Sequence, residues 1–102
     1  MRQKKIISSI ADALHKVIPS AKVILYGSQA RGDARKDSDI DLLILTKENT
    51  VSTAMEDIIY TPLYDIELQN GISIHPFIIP QIQWQSMVTP FSENVKQDGI
   101  LL

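Results

Sequence analysis

The sequence predicts a small α/β fold of the α+β kind, a short mixed sheet with helices packed on it. Three observations carry that expectation. An amphipathic repeat opens the chain, two apolar runs at 22–27 and 39–46 flank a polar loop, and a third apolar run at 71–80 follows a long segment of helical character. At 102 residues, a single domain spanning 1–102 with one modest core is expected.

The elements follow in order. Ile6, Ile7, Ile10, Ala13, Leu14, Val17 and Ile18 recur at helical spacing over 3–18, and Pro19 ends the run. "KVILYG", 22–27, is apolar and β-branched up to its glycine, so it reads as a buried strand. Residues 28–38 are mostly polar and form a loop or a short helical turn. "DIDLLILT", 39–46, starts as an alternation and becomes continuously apolar, a second strand with its far end buried on both faces.

The next segment offers two readings. Ser52 or Thr53 can cap a helix holding Ala54, Met55, Ile58 and Ile59, with Pro62 interrupting it or opening a second turn. Residues 63–69 then continue as helix to a stop at Asn70-Gly71. Alternatively Tyr64, Ile66 and Leu68 alternate into an Asn-Gly hairpin turn. The helix is the reading adopted. "GISIHPFIIP", 71–80, is a third strand, which Pro76 places at an edge or forces to bulge. Thr89 caps a last helix with Pro90 at its first position and Gly99 at its end, and the closing "ILL" is a tail or a short strand. No repeat, linker or low-complexity tract is visible.

A formal charge of −2 argues against a generally basic nucleic-acid-binding surface, although Arg35-Lys36 can still draw an anion to the loop. The absence of cysteine excludes disulfides and thiolate metal sites, and suits a reducing compartment. The N-terminus begins with charge as a signal peptide does, but Ser8, Ser9, Asp12, His15 and Lys16 break any apolar stretch. No run approaches the roughly 18 apolar residues of a membrane span. A cytoplasmic location is expected.

The stretch "ILYGSQARGDARKDSDIDLLIL" carries the chemistry. Asp39 and Asp41 stand two apart at the start of a strand and so project to one face. Two carboxylates that close raise one another's pKa unless a cation compensates them, and a hard divalent ion such as Mg2+ does so while keeping positions for phosphate oxygens. Gly27 ends the preceding strand, and Ser28 can cap a turn through "SQAR", whose N–H groups and dipole would attract phosphate. A glycine there admits phosphate close to the backbone, Ser28 adds a hydroxyl and Arg31 a cationic fork. No Walker A loop occurs, and Gly27 and Gly32 lack the dinucleotide-binding spacing. A glycine-serine turn, a lone arginine or a polar strand start is unremarked alone; their joint order carries the reading.

Over 27–45 that order resembles the G-S-x-A-R-G…S-D-x-D-L signature of the minimal nucleotidyltransferases in the DNA polymerase β superfamily. The resemblance implies a nucleotidyltransferase fold, a metal-bound NTP and transfer of a nucleoside monophosphate with pyrophosphate leaving. By position it implies that Gly27, Ser28, Arg31 and Ser38 bind the nucleotide. Asp39 and Asp41 would be catalytic and hold Mg2+ ions, one at the attacking hydroxyl and one at the leaving phosphates. Members of the superfamily usually present a third carboxylate on the next strand, where this chain has His75, a poor ligand for Mg2+. Asp65 and Glu67 are the nearest acidic substitutes; they share a face in a strand and diverge by about 200° in a helix.

Such small transferases are often paired with a separately encoded helical partner of the HEPN type, as antitoxin to an RNase toxin, and can adenylylate a tyrosine on it. The resemblance therefore implies AMP transfer from ATP to a protein hydroxyl. Two other functions compete: a catalytically weak binding module acting by contact, and a transferase for small molecules such as antibiotics. A homo-oligomer stays open. Of the remaining residues, His15 falls on the polar side of the first helix, and Trp84 is a core or interface anchor or a stacking partner for a base. Ile78, Ile79, Ile82 and Phe91 read as core or contact surface.

Overall fold

The computed structural model describes residues 2–35 and 39–102. Helix α1 (Arg2–Val17) leads into β1 (Lys22–Tyr26), a single turn α2 (Ser28–Arg31) and β2 (Ile40–Thr46). A long α3 (Thr53–Asn70) crosses to β3 (Ile74–Pro80), followed by α4 (Gln81–Gln85), α5 (Pro90–Asp98) and β4 (Ile100–Leu101). The strands form one mixed sheet in the order β3-β2-β1-β4. β1 runs antiparallel to β2 and β4, whereas β2 and β3 are parallel because α3 carries the chain back across the sheet.

Strand alternation divides the core in two. Val23, Leu25, Ile40, Leu42 and Ile44 face α1 and α3, meeting Ile6, Ile10 and Leu14 of one helix and Ile59, Leu63 and Ile66 of the other. Leu43, Leu45 and Ile79 face the opposite way, onto Trp84, Val95 and the partly buried Phe91. Trp84 is thus the core anchor its sequence suggested. Ile82, read as core or contact surface, is 63% exposed on the short α4, so of the two readings the core is excluded.

Helix α3 resolves the ambiguous segment. The Ser52 hydroxyl accepts the Met55 N–H at 3.1 Å, and Gly71 closes the helix in the left-handed region (φ 61), giving its N–H to the Glu67 carbonyl. The buried face Ile59, Leu63, Ile66 keeps helical period, and that burial overrides the hairpin signal of Asn70-Gly71. Pro62 sits inside without ending the helix. Its missing N–H leaves the Ile58 carbonyl unsupplied on a turn where Ile58 and Thr61 are exposed, so solvent can meet that need.

At the other end, Thr89 and Ser92 form a reciprocal capping box, each side chain accepting the other's backbone N–H. The closing residues form a strand, Leu101 lying opposite Ile24. α4 was not anticipated; it is one turn after Pro80 that seats Trp84. β3 lies at the sheet edge, as Pro76 required. The Ile40 N–H donates to the Ser73 carbonyl at 3.0 Å, so 73, 75, 77 and 79 bond toward β2 while Pro76 and Pro80 face outward, and no bulge is needed. Among the described residues no helix is long and apolar enough to cross a membrane.

The two faces of α3 should respond differently to truncation. Ile59→Ala, at a fully buried position, is expected to lose about 2–5 kcal/mol of stability. Leu68→Ala, at a position 74% exposed, should lose under about 0.5 kcal/mol. Urea unfolding of both variants checks the packing.

Candidate active site

Three strands bring the chemistry together through their register. Tyr26 at the end of β1 lies opposite Asp41 on β2, and Asp41 lies beside His75 on β3. The three share the sheet face that carries Leu43 and Leu45, the one covered by α4 and α5 rather than by α1 and α3. Asp39 joins them just ahead of β2: its Oδ2 accepts a hydrogen bond from His75 Nε2 at 2.9 Å, with both side chains more than half exposed.

Behind this polar row stands an aromatic wall. Tyr26 meets the Phe91 ring edge-on at a centroid distance of 5.3 Å, Trp84 meets it at 6.0 Å, and Phe77 lies 5.9 Å away. The wall dries one side of the site. Burial pushes the Asp41 carboxyl above its ordinary pKa; His75 opposes this, Asp39 adds to it and Arg31 opposes it. The Tyr26 hydroxyl is likewise pushed up, first by burial and then by the charge on Asp41. Tyr26 is the site neighbour that the sequence reading passed over. Its signal was available, because an antiparallel pairing of the two strands across the loop sets it opposite Asp41.

Gly27 has two reasons to be glycine. Its backbone (φ 78, ψ −156) lies in a region essentially reserved for glycine. A Cβ there would also stand 2.5 Å from Asp41 Oδ2, too close for any real side chain. The glycine therefore sets the turn against the carboxylate.

The expected role of Ser28 as cap is corrected. Gly27 is the N-cap, with no side-chain capping bond, and Ser28 is the first helical residue, because the turn already closes through the Gly27 carbonyl, which accepts from Ala30 and Arg31 at 3.1 Å. Gly32 ends the turn in the left-handed region (φ 80), returning its N–H to the Ser28 carbonyl. Arg31 Nε donates to Asp33 Oδ2 at 3.3 Å, so its guanidinium braces the loop while its charge still reaches Asp41. Ser38 lies outside the described residues.

The acidic substitutes do not join the site. Asp65 and Glu67 belong to α3, which packs on the opposite face of the sheet from Asp41. Glu67 Oε2 instead accepts the Ile74 N–H at 2.8 Å, tying the end of α3 to the start of β3. His75 alone holds the place where a third carboxylate was sought. Among the described residues no group of three His, Cys, Asp or Glu side chains is placed to hold a metal ion. The donor chemistry fits a cation that arrives with phosphate oxygens, since Mg2+ is commonly held by one or two carboxylates plus substrate phosphates.

Residues 4–100 match the family model of the nucleotidyltransferase domain. The chain belongs to the nucleotidyltransferase family. Two proteins of Methanocaldococcus jannaschii, each named "Putative protein adenylyltransferase", resemble this nucleotidyltransferase. One is 36% identical over 84 residues, 78% of this chain and 75% of the relative; the other is 29% identical across 100% and 99% of the two. Among solved structures, a toxin-antitoxin crystal structure with AMP-PNP superposes with a TM-score of 0.65 at 19% identity, over 92% of this chain and 69% of that one. A structure called a "putative minimal nucleotidyltransferase" gives a TM-score of 0.55 at 25% identity, over 99% and 89%. The α+β fold of a small nucleotidyltransferase is thereby shown, and the enzyme class with it.

Two consequences can be measured on this nucleotidyltransferase. Gly27→Ala must strain the backbone and displace Asp41, and should lower stability by about 1–3 kcal/mol in urea titrations. The raised pKa of Asp41 also fixes a sign. The folded state holds the proton more tightly than the unfolded one, so this group's contribution is present below its unfolded pKa and lost as pH rises through its folded pKa. Asp41→Asn should therefore melt at or above the wild-type temperature at pH 7, and the difference should shrink toward pH 4.

Proposed function

We propose that this nucleotidyltransferase transfers AMP from ATP to a hydroxyl on a separate protein, with residues 1–102 working as one domain. The observation that carries the reading is the convergence of Asp39 and Asp41 on one sheet face, directly against the glycine turn that opens α2. In this reading Gly27 and Ser28 receive the triphosphate, Arg31 and Ser38 contribute to its binding, and Asp39 and Asp41 hold the metal. A divalent cation, Mg2+ by family expectation, supplies charge neutralisation for the phosphates when bound.

The reaction balances simply. The acceptor oxygen bonds to the α-phosphorus, the bond from that phosphorus to the bridging oxygen breaks, pyrophosphate departs and the hydroxyl proton is released. The chain's own residues orient the α-phosphate and keep the aromatic side of the site dry.

Support for a protein acceptor comes from the adenylyltransferase names of the two archaeal relatives. Support for a separate partner comes from the structural neighbours, which include toxin-antitoxin crystals with AMP-PNP and of the MntA-HpeT pair. We infer a helical, HEPN-type partner, and a cytoplasmic setting for the pair. A second reading is kept because His75 replaces the third carboxylate: the chain then acts as a module that binds its partner and transfers little.

The test is incorporation of ATP labelled on the α-phosphate, with Mg2+, alone and with the product of the neighbouring gene. Label on the partner that drops to background in Asp41→Ala is the expected result. Absence of label from wild type, with tight partner binding kept in Asp41→Ala, would establish the binding module instead.

A further inference from the structure

Helix α3 is apolar on two sides, and the fold uses only one of them. Ile59, Leu63 and Ile66 are buried against α1 and the sheet. On the outer side Tyr60, Tyr64 and Leu68 follow one another at i, i+4 and i+8, exposed by 39%, 64% and 74%. That spacing sets the three side chains in one row, over about 12 Å of helix axis. A surface helix ordinarily carries polar residues there. Two tyrosines in such a row are instead the anchors that the buried centre of a protein interface favours.

The charge around the row is of one sign. Asp57 lies at its amino end, one turn before Thr61, and Asp65 borders it beside Tyr64; both acids are exposed. Among the described residues neither has an ion-pair partner. No lysine or arginine occurs anywhere from 48 to 95, so nothing in α3, β3 or α4 offsets these acids.

That charge selects among possible covers. A second copy presenting the same face would set acid against acid. A second copy presenting α1 would bring Lys4, Lys5 and Lys16, but the side chains exposed between them are Ser8, Ser9, Asp12 and His15, none of them apolar. Nucleic acid and anionic lipid are repelled. An amphipathic helix whose apolar stripe is bordered by lysine or arginine answers both the row and its charge.

We propose that the outer face of α3 docks a cationic amphipathic helix of a separate protein, its apolar stripe against Tyr60, Tyr64 and Leu68 and its cations against Asp57 and Asp65. α3 packs on the opposite side of the sheet from Asp41, so an occupant there leaves the candidate active site open. The inference stands on this surface alone and does not depend on transfer of AMP.

The experiment uses the whole chain and a fluorescein-labelled peptide of the same 18-residue length as α3, with leucine at helical spacing and lysine elsewhere. Its twin carries glutamate in place of lysine. Fluorescence anisotropy measures binding, and amide NMR shifts of the protein locate it. The lysine peptide should bind, shift the amides of α3, and weaken as salt rises from about 0.05 to about 0.5 M. The glutamate peptide should not bind. Affinity should fall about tenfold in Tyr64→Ala/Leu68→Ala and again in Asp57→Lys/Asp65→Lys, the scale of losing one interface anchor. Glu93→Lys/Asp98→Lys, which changes the same charge on α5, should bind as wild type does. The exposure of the four substituted α3 side chains predicts unchanged circular dichroism.

No binding by wild type, shifts confined to another surface, or equal affinity in the α3 and α5 variants would overturn the proposal. So would a wild-type dimer in sedimentation that Tyr64→Ala/Leu68→Ala dissociates, since a second copy would then cover the face. Each of these results leaves the reading of Asp39 and Asp41 untouched, because labelling with ATP tests that separately.

Discussion

Asp41 keeps its carboxylate where it is only because the residue that follows β1 has no side chain. Any Cβ at Gly27 would collide with Oδ2, and the backbone there adopts angles that other residues avoid. Much of the site hangs on that approach. It brings the α2 turn against the start of β2, sets the charge of Arg31 within reach of the acid and leaves the face of the sheet open at that end. The price of the arrangement is a carboxylate beside aromatic rings, and its raised pKa records that cost.

A cation brought by a nucleotide would relieve the same cost. The constraint that shapes the turn and the chemistry proposed for the site are therefore one electrostatic problem. Fold and proposed activity meet at Asp41, where a strand built for burial on both faces admits one acid near its beginning.

The sequence made the first three strands legible because each is a short apolar run with a clear stop, left the closing pair open between tail and strand, and made the acid pair legible because period two leaves Asp39 and Asp41 no choice of face. It was ambiguous where two local signals compete. Asn70-Gly71 is equally a hairpin turn and a helix stop, and only the burial of Ile59, Leu63 and Ile66 against α1 and the sheet decides between them. Pro62 looked like a break, but an exposed turn tolerates it. α4 was missed because five residues after a proline carry too little periodicity to register. The company of Tyr26 and the brace between Arg31 and Asp33 depend on tertiary placement, which no local pattern encodes. His75 could be set on the strand beside the acid pair from sequence alone, yet its register with Asp41 and its bond to Asp39 required the sheet to be assembled.

The outer border of β3 has a further meaning. Its outward-directed positions are Ile74, Pro76, Ile78 and Pro80. Two of these have no N–H to offer, and that of Ile74 is taken by Glu67. A border so short of donors cannot template the growth of the sheet by a foreign strand. A protein that docks on that flank is therefore met by side chains and surface shape, not by an added strand.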